Sequence, residues 1–343
     1  MGTAESLIAT PFISALWNGS FGVCIFFVLS GYVLTRSFCA TGNMKELQAG
    51  AIRRYVRLSL PILGSVLFSY ILISAFGKPF LSTVQVTKSA WLASQIPATP
   101  SLLGATRQGL FDALFYRDRN SYNGALWSMS VEFVGSMLIY AYRALAGLGI
   151  LNNIVGSVIY IAITVVYAPD IWPYLLAFLL GTHLNSLPRF KSRVMATLLA
   201  LSGLFLGSYD GSPLFAPIST AHISPELAEM TTGVVGGALI VYAALGGAFD
   251  RILQAAVPQF LGRISFPLYL IHLPLIATLS CYLFNFLITG HQNNRGLVVV
   301  GVLALTLPPM IAISWYFERI IDRPAIALGR TFFPKDAGAR SSG

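Results

Sequence analysis

Long stretches without a charged side chain are the feature that most constrains how this chain can fold. Runs free of Asp, Glu, Lys and Arg cover 6–35, 58–77, 144–169, 171–188, 194–209, 230–249, 264–290 and 296–317. A ninth run, 120–142, is interrupted only by Glu132. A helix needs about 20 mostly apolar residues to cross the roughly 30 Å hydrocarbon core of a bilayer. The pattern therefore predicts nine membrane-spanning helices, of which 194–209 is the shortest.

The composition excludes several classes of protein. Hydrophobic residues make up 55% of the 343 residues and charged residues only 10%, whereas a soluble globular protein carries about 25% charged residues. This balance excludes a soluble enzyme, a disordered chain and a disulfide-rich secreted domain. The three cysteines, Cys24, Cys39 and Cys281, indicate neither a disulfide framework nor a metal cluster. Because no run alternates as a barrel strand does, the predicted fold is an all-α, polytopic transmembrane helix bundle.

The basic residues predict the orientation of that bundle. If the spans alternate from an N-terminus outside the membrane, most of the 22 Lys and Arg residues fall in segments facing the cytosol, as the positive-inside rule requires. The C-terminus is then cytosolic. The net charge of +9 is therefore interpreted as a topology signal with added affinity for anionic membrane lipids, and not as a nucleic-acid surface.

No repeat or low-complexity segment divides the chain. We predict a single membrane domain over 1–330, in which the outer loop 78–124 could form a small cap, followed by a loose cytosolic tail over 331–343.

Glu132 is the acidic residue that lies well inside a predicted span, within ALWSMSVEFVGSMLIY. Because a charge inside a membrane is costly, such a residue is a functional candidate by default. It could accept a proton, pair with an arginine or orient a reacting side chain. A structural ion pair that locks two helices is the alternative interpretation.

His272 lies within RISFPLYLIHLPL, between Pro267 and Pro274. Proline removes a backbone hydrogen bond and tends to kink a span, so the imidazole is expected beside opened backbone. There it could act as a base or as a hydrogen-bond donor. A polar contact between helices is the alternative.

Three arginines in RRYVRL, Arg53, Arg54 and Arg57, stand at the predicted cytosolic start of a span. Residues 53 and 57 are one turn apart, so their side chains project from one face of a helix. Guanidinium groups match phosphate oxygens well, which makes this a candidate docking site for a phosphorylated ligand. Anchoring to lipid headgroups explains each arginine equally well. No metal site is predicted, since no His and Cys spacing suggests one.

Four segments in this order resemble the acyltransferase 3 family of integral membrane enzymes, and its fungal members in particular. They are FFVLSGYVL (26–34), RRYVRL (53–58), LWSMSVEF (126–133) and GRISFPLYLIHLPL (262–275). The segment WYFERIIDRPAIALGR (315–330) resembles the last span of that family, which typically ends in a turn like Glu-Arg-Pro; here it reads Asp322, Arg323, Pro324. The resemblance extends over about residues 17–330.

The resemblance implies a bundle of ten helices that transfers an acyl group, usually acetyl, from cytosolic acyl-CoA to a hydroxyl. The acceptor would be a carbohydrate, a lipid-linked molecule or a small molecule. Acyl-CoA would be a cosubstrate, and no tightly bound cofactor is expected. The arginines at 53, 54 and 57 would bind the CoA phosphates. Glu132 matches the family's tryptophan-to-glutamate motif and His272 its tyrosine-leucine-isoleucine-histidine motif. In this chain we expect His272 to be the candidate base, with Glu132 as its partner or orienting group.

One departure from the family pattern keeps other functions open. Family members carry an earlier span with an arginine and, about three turns later, a histidine considered the catalytic base. We expect residue 1 of this chain to fall in the connection after that span. A catalytically silent relative that acts by binding therefore remains an alternative. A transporter is a further alternative, although transporters commonly contain internal repeats and none is visible here.

Overall fold

The computed structural model of this chain describes residues 10, 12–93, 100–117, 122–215, 224–290 and 295–332. Within these residues every regular element is a helix, so the predicted all-α fold is confirmed.

The first half of the chain forms a short helix, two long helices, a group of small helices and then two long helices again. They are α1 (Ile13–Trp17), α2 (Gly19–Thr41), α3 (Met44–Phe76), α4 (Phe80–Thr87), α5 (Ala90–Ala93), α6 (Leu102–Arg107), a π-helical segment (Gln108–Asp112), α7 (Ala113–Phe115), a 3₁₀ turn (Gly124–Leu126), α8 (Trp127–Ala146) and α9 (Ile150–Tyr167).

The second half contains two shorter apolar helices followed by three long helical runs. They are α10 (Trp172–His183), α11 (Arg193–Gly207), a 3₁₀ turn (Pro213–Phe215), α12 (Pro225–Leu245), α13 (Asp250–Leu253), α14 (Ala256–Leu275), a π-helical segment (Ile276–Ser280), α15 (Cys281–Gly290), α16 (Arg295–Phe317), a π-helical segment (Glu318–Asp322) and α17 (Arg323–Phe332).

Seven helical stretches are long and apolar enough to cross a membrane, which supports an integral membrane protein with several spans. They are Gly19–Thr41, Met44–Phe76, Gly124–Ala146, Ile150–Tyr167, Pro225–Leu245, Ala256–Thr289 and Arg295–Thr331.

The other two of the nine predicted spans are shorter helices. Pro173 lies in the first turn of α10, which ends at His183, so this helix has only 12 residues. The Ser192 side chain caps α11, which stops at Gly207 and has 15 residues. Proline is well tolerated in the first turn of a helix, so Pro173 is compatible with the start of α10. The charge-free runs 171–188 and 194–209 both extend beyond the last residue of the helix that forms in them.

The residues group into two compact units. Unit 1 contains Met1–Ala51 and Val134–Ala255, and unit 2 contains Ile52–Phe133 and Ala256–Gly343. Helices α3 and α8 contribute residues to both. The single domain over 1–330 stays a prediction. In the predicted tail, α17 continues to Phe332, and 333–343 lie outside the described residues.

Close approach of two helix backbones organises unit 1. A Cβ atom added to Gly31 of α2 would collide with the carbonyl oxygen of Phe178 in α10, and one added to Gly181 would collide with the carbonyl oxygen of Val28. Small residues at these positions let transmembrane helices pack backbone to backbone. The glycines therefore set the distance between α2 and α10.

Unit 2 includes the stretch predicted as an outer loop, 78–124. Its described parts are mostly helical, and Phe80 and Leu92 form a buried cluster with Cys281 of α15. The Tyr122 hydroxyl donates a hydrogen bond to the Ser101 carbonyl at 2.9 Å. This stretch is therefore packed against the membrane helices of its own unit, and 94–99 and 118–121 lie outside the described residues.

Candidate functional site

A buried ion pair lies at the centre of the candidate site in unit 2. Arg54 Nη2 of α3 contacts Glu132 Oε1 of α8; Arg54 is 6% exposed and Glu132 is fully buried. Two charges removed from water are tolerated together because each compensates the other, and removing one partner leaves an unbalanced charge. Of the interpretations of Glu132, the structure shows the arginine partner, and the pair joins two helices.

Arg53 and Arg57 flank this pair on α3. Arg57 is exposed and Arg53 is half-buried, whereas Arg54 is buried. Residues 53 and 57 are one turn apart and therefore share a face of α3 that differs from the face of Arg54. Position 329 of α17 lies beside Arg53, where a Cβ atom on Gly329 would be 3.8 Å from the Arg53 Cβ. The Arg57 guanidinium is close enough to the Asp322 carboxylate to act on it electrostatically. The C-terminal helices therefore border the arginine motif.

The segment Asp322, Arg323, Pro324 forms no turn in this structure. A π-helical stretch, Glu318–Asp322, leads directly into α17, and the Arg323 backbone N–H donates to the Glu318 carbonyl. Pro324 follows in the first turn of α17. Proline is tolerated in the first turn because the N–H that it lacks would have no acceptor within that helix. The Arg323 side chain donates to Glu318 at 2.6 Å. The wide turn of the helix thus accommodates the proline without ending the helical run.

His272 lies in α14, and one of its ring nitrogens has a fixed role. Nδ1 lies 2.6 Å from the carbonyl oxygen of Tyr269. A carbonyl oxygen can only accept a hydrogen bond, so Nδ1 carries the proton of the neutral imidazole. Nε2 then presents its lone pair. This is the tautomer that a proton acceptor requires, and the backbone one turn earlier sets it.

Pro274 explains a second polar feature of α14. In a regular helix the Leu270 carbonyl would accept from the N–H of residue 274, which proline lacks. Instead the carbonyl accepts from Ser65 Oγ at 2.7 Å and from Asn123 Nδ2 at 2.7 Å. Both side chains are buried. The proline therefore exposes a backbone acceptor that joins α14 to α3 and to the start of α8.

A third contact joins the same helices next to His272. Tyr269 donates its hydroxyl proton to the Ala125 carbonyl, and the Ser128 hydroxyl lies 2.6 Å from the Tyr269 oxygen. Because the tyrosine proton is already donated to a carbonyl, Ser128 donates to Tyr269. The turn that carries the His272 acceptor is thereby held against α8.

The structure brings Arg54 and Glu132 together and places His272 elsewhere in unit 2. Along α3, Arg54 meets Glu132 and Ser65 meets Leu270. These positions are eleven residues apart, which is about 16 Å at 1.5 Å per residue. The described hydrogen bond and ring contact of His272 are both to Tyr269. Ser128, one turn before Glu132 on α8, contacts Tyr269, one turn before His272 on α14.

Sequence reasoning missed Ser65, Asn123, Ser128 and Tyr269. Two signals were present: Asn123 lies four residues before the helix that carries Glu132, and Pro274 stands four residues after Leu270. The proline spacing identifies the carbonyl that needs a donor. It does not identify which helix supplies that donor, since this depends on packing. Among the described residues, no group of three or more His, Cys, Asp or Glu side chains could hold a metal ion.

Comparison with known proteins gives the family. The acyltransferase 3 model (Acyl_transf_3, acyltransferase domain) matches residues 4–316. The chain is similar to acyltransferase clz18 of Cochliobolus lunatus, with 25% identity over 93% of this chain and 81% of that protein. It is also similar to acyltransferase R4 of a Phoma species, with 21% identity over 93% of this chain and 82% of that protein.

A third relative carries a more specific name. O-acetyltransferase PaAT-1 of Phomopsis amygdali is 25% identical over 95% of this chain and 76% of its own length. No solved structure matches the chain. Since the family model covers nearly the whole chain and the helices could span a membrane several times, this protein is a membrane acyltransferase of the acyltransferase 3 family.

Proposed function

We propose that this protein transfers an acyl group, in the first instance acetyl, from acyl-CoA to a hydroxyl group of an acceptor. The name of PaAT-1, an O-acetyltransferase, supports acetyl as the group and oxygen as the acceptor atom. The observation that carries the proposal is the arrangement of unit 2. Arginines lie just before the charge-free part of α3, and a histidine whose Nε2 carries a lone pair lies in the same group of helices.

In this proposal the arginine motif binds the phosphates of acyl-CoA. Arg53 and Arg57 are the groups that reach the ligand, because planar guanidinium groups pair with phosphate oxygens in two-point contacts. Arg54 is engaged by Glu132 and holds α3 in register with α8. Glu132 then has a positioning role. In the same proposal, the part of α3 that carries the arginines faces the cytosol, as does the C-terminus.

The separation between the arginines and His272 suits the donor. The pantetheine arm joins the pyrophosphate oxygen to the thioester sulfur through twelve covalent bonds. An extended backbone of four residues has the same number of bonds and spans about 14 Å. Along α3, Arg54 and Ser65, which donates to the Leu270 carbonyl, are eleven residues and about 16 Å apart at 1.5 Å per residue. A donor with its phosphates at the arginines could therefore present its thioester near His272.

The chemical step follows from the His272 tautomer. Nε2 removes the proton of the acceptor hydroxyl, whose oxygen attacks the thioester carbonyl carbon. The carbon–sulfur bond breaks, the acyl group remains on the acceptor oxygen, and the CoA thiolate takes the proton from the imidazolium. General base catalysis of this kind contributes about 10²–10⁴-fold to a rate.

Labelled transfer tests this proposal. Membranes containing the protein are incubated with acetyl-labelled acetyl-CoA and a mixture of alcohols and carbohydrates, and labelled ester and free CoA are measured. We expect both products from the wild-type protein and neither from His272→Ala or Arg54→Ala at equal amounts in the membrane. Wild-type rates in both variants would contradict the assignment of these residues.

A further inference from the structure

A cavity in unit 1 has no role in the function proposed above. It has a volume of about 250 Å³ and is lined by residues of α2, of the segment after α10 and of α12. Its polar lining consists of Tyr32, Arg36, Asn185, Arg189 and Tyr242. The arginine motif of α3 belongs to unit 2. None of the three arginines of that motif lines the cavity.

Two exposed arginines, Arg36 and Arg189, line this cavity. None of its lining residues is acidic. Neither Arg36 nor Arg189 forms an ion pair with a carboxylate in the part of the chain that the structure describes. Arg54 and Arg323, in contrast, each pair with a glutamate. Two guanidinium groups at one small cavity create a positive potential that an anion would neutralise.

Neighbouring contacts hold both arginine-bearing segments in place. The Arg36 guanidinium lies over the Tyr32 ring, 6.0 Å from its centroid. The Tyr242 hydroxyl donates to the Pro188 carbonyl at 2.8 Å, which fixes the peptide group that leads into Arg189. Asn185 Nδ2 donates to the Tyr32 carbonyl at 3.0 Å. These contacts join α2, α12 and the intervening segment around one space.

We propose that this cavity is a binding site for a phosphate group on a small carrier. Arginine forms two parallel hydrogen bonds with phosphate oxygens, and two arginines supply enough charge for a phosphate monoester. The volume is below the roughly 300–1,000 Å³ of pockets for drug-sized ligands, so the site fits a headgroup or a nucleotide fragment. Apolar side chains complete the lining (Leu184, Leu187 and Leu245), and these suit the first carbons of a lipid.

Binding of defined probes to the purified, full-length protein tests this site. The probes are dioctanoyl phosphatidic acid, which carries a phosphate monoester on a lipid, and 3′,5′-ADP, which carries one on a nucleotide. Dioctanoylglycerol has the same chains as the first probe and no phosphate. We expect saturable binding of a phosphate probe and none of dioctanoylglycerol. Binding of the lipid alone identifies a headgroup site, and binding of 3′,5′-ADP alone identifies a nucleotide site.

The matched variants remove the same charge at two places in unit 1. Arg36→Gln with Arg189→Gln removes both cavity arginines. Arg193→Gln with Arg251→Gln removes two arginines that are also exposed but do not line the cavity. We expect the first pair to weaken phosphate binding by at least about tenfold, the loss of one charge-assisted contact. The second pair should change the affinity for the phosphate probe by less than about twofold. Equal weakening by both pairs, or equal binding of dioctanoylglycerol, would overturn the proposal.

Folding and charge are checked by one further variant. Arg36→Lys with Arg189→Lys keeps both charges and loses the planar guanidinium groups. We expect it to melt at the wild-type temperature and to bind the phosphate probe more weakly than wild type but more tightly than the glutamine pair. Because these measurements require no turnover, their failure is distinguishable from failure of the acyl-transfer proposal.

Discussion

At the level of single side chains, this protein compensates its buried arginines in two ways. Arg54 has a carboxylate partner in Glu132. Arg143, which is 1% exposed, donates to the Thr182 side chain at 2.7 Å and to the Asn153 side-chain oxygen at 2.6 Å. Neutral oxygens satisfy a guanidinium by hydrogen bonding alone, whereas a carboxylate also balances its charge. Loss of the partner should therefore be felt most at Arg54.

The ion pair makes a prediction for stability. Glu132→Gln or Arg54→Gln leaves one buried charge unbalanced and should lower the free energy of unfolding by about 3–5 kcal/mol. The double variant leaves no buried charge at this place. The decrease in the free energy of unfolding of the double variant should be clearly smaller than the sum of the decreases of the two single variants, as measured by unfolding of the purified protein in detergent. Simple additivity would show that the two residues do not act as a pair.

The sequence identified this pair in part. The position of Glu132 inside an apolar run predicts a functional role or a partner such as an arginine. The spacing predicts that residues 53 and 57 lie on one face of a helix and that Arg54 lies on a different face. Which arginine contacts the glutamate depends on how α3 and α8 pack, and the two residues of this contact are far apart in the chain.

At the level of elements, glycines and prolines determine how the helices meet. The charge-free runs predicted where the long helices occur, because burial in lipid requires apolar residues over the whole span. They did not predict the ends of α10 and α11, which depend on proline and capping residues. The π-helical turn before Pro324 was also not predictable from the sequence, because its residues are equally compatible with a regular α-helix.

Substitution of the contact glycines tests the packing of α2 against α10. Gly31→Ala and Gly181→Ala place a methyl group against a backbone carbonyl, which cannot move aside as a flexible side chain can. Each should lower stability by about 1–3 kcal/mol or more, as overpacking does. Gly22→Ala on α2, where nothing lies within 4 Å of the added Cβ, is the control. Equal melting temperatures for all three variants would exclude close backbone packing.

The carbonyl freed by Pro274 makes a second prediction at this scale. Asn123→Ala removes one donor to the Leu270 carbonyl and should lower the stability by about 1–3 kcal/mol. In a Pro274→Ala background, the N–H of residue 274 becomes available to that carbonyl. The same Asn123→Ala change should then have a smaller effect on the melting temperature. An equal effect in both backgrounds would show that the asparagine acts through its other contacts, the Ala125 N–H from which its side-chain oxygen accepts and the Ser65 oxygen to which it donates.

At the level of the whole molecule, family and composition agree on an integral membrane acyltransferase. The family model covers 4–316, and seven helical stretches could cross a membrane. The resemblance of four short motifs predicted this family from the sequence, because their order and spacing reflect one arrangement of helices. The acceptor was not predictable in the same way, since its specificity depends on the shape of a site that local motifs do not encode.

Labelling from one side of the membrane tests the proposed orientation. In a variant with its three cysteines replaced by alanine, Asp170→Cys and Lys191→Cys introduce single thiols at two exposed positions in different connections. If basic segments face the cytosol, an impermeant maleimide applied outside sealed cells should label position 170 and not position 191. Permeabilisation should expose position 191. The reverse pattern would invert the orientation.

Steady-state kinetics of purified variants test the division of roles between the arginines and the histidine most directly. Arg53→Gln with Arg57→Gln should raise the KM for acetyl-CoA at least about tenfold and change kcat little, as loss of uniform binding does. His272→Gln should lower kcat by about 10²–10⁴-fold and leave that KM within about threefold of wild type. A wild-type kcat in His272→Gln, or an unchanged KM in the arginine variant, would contradict the account.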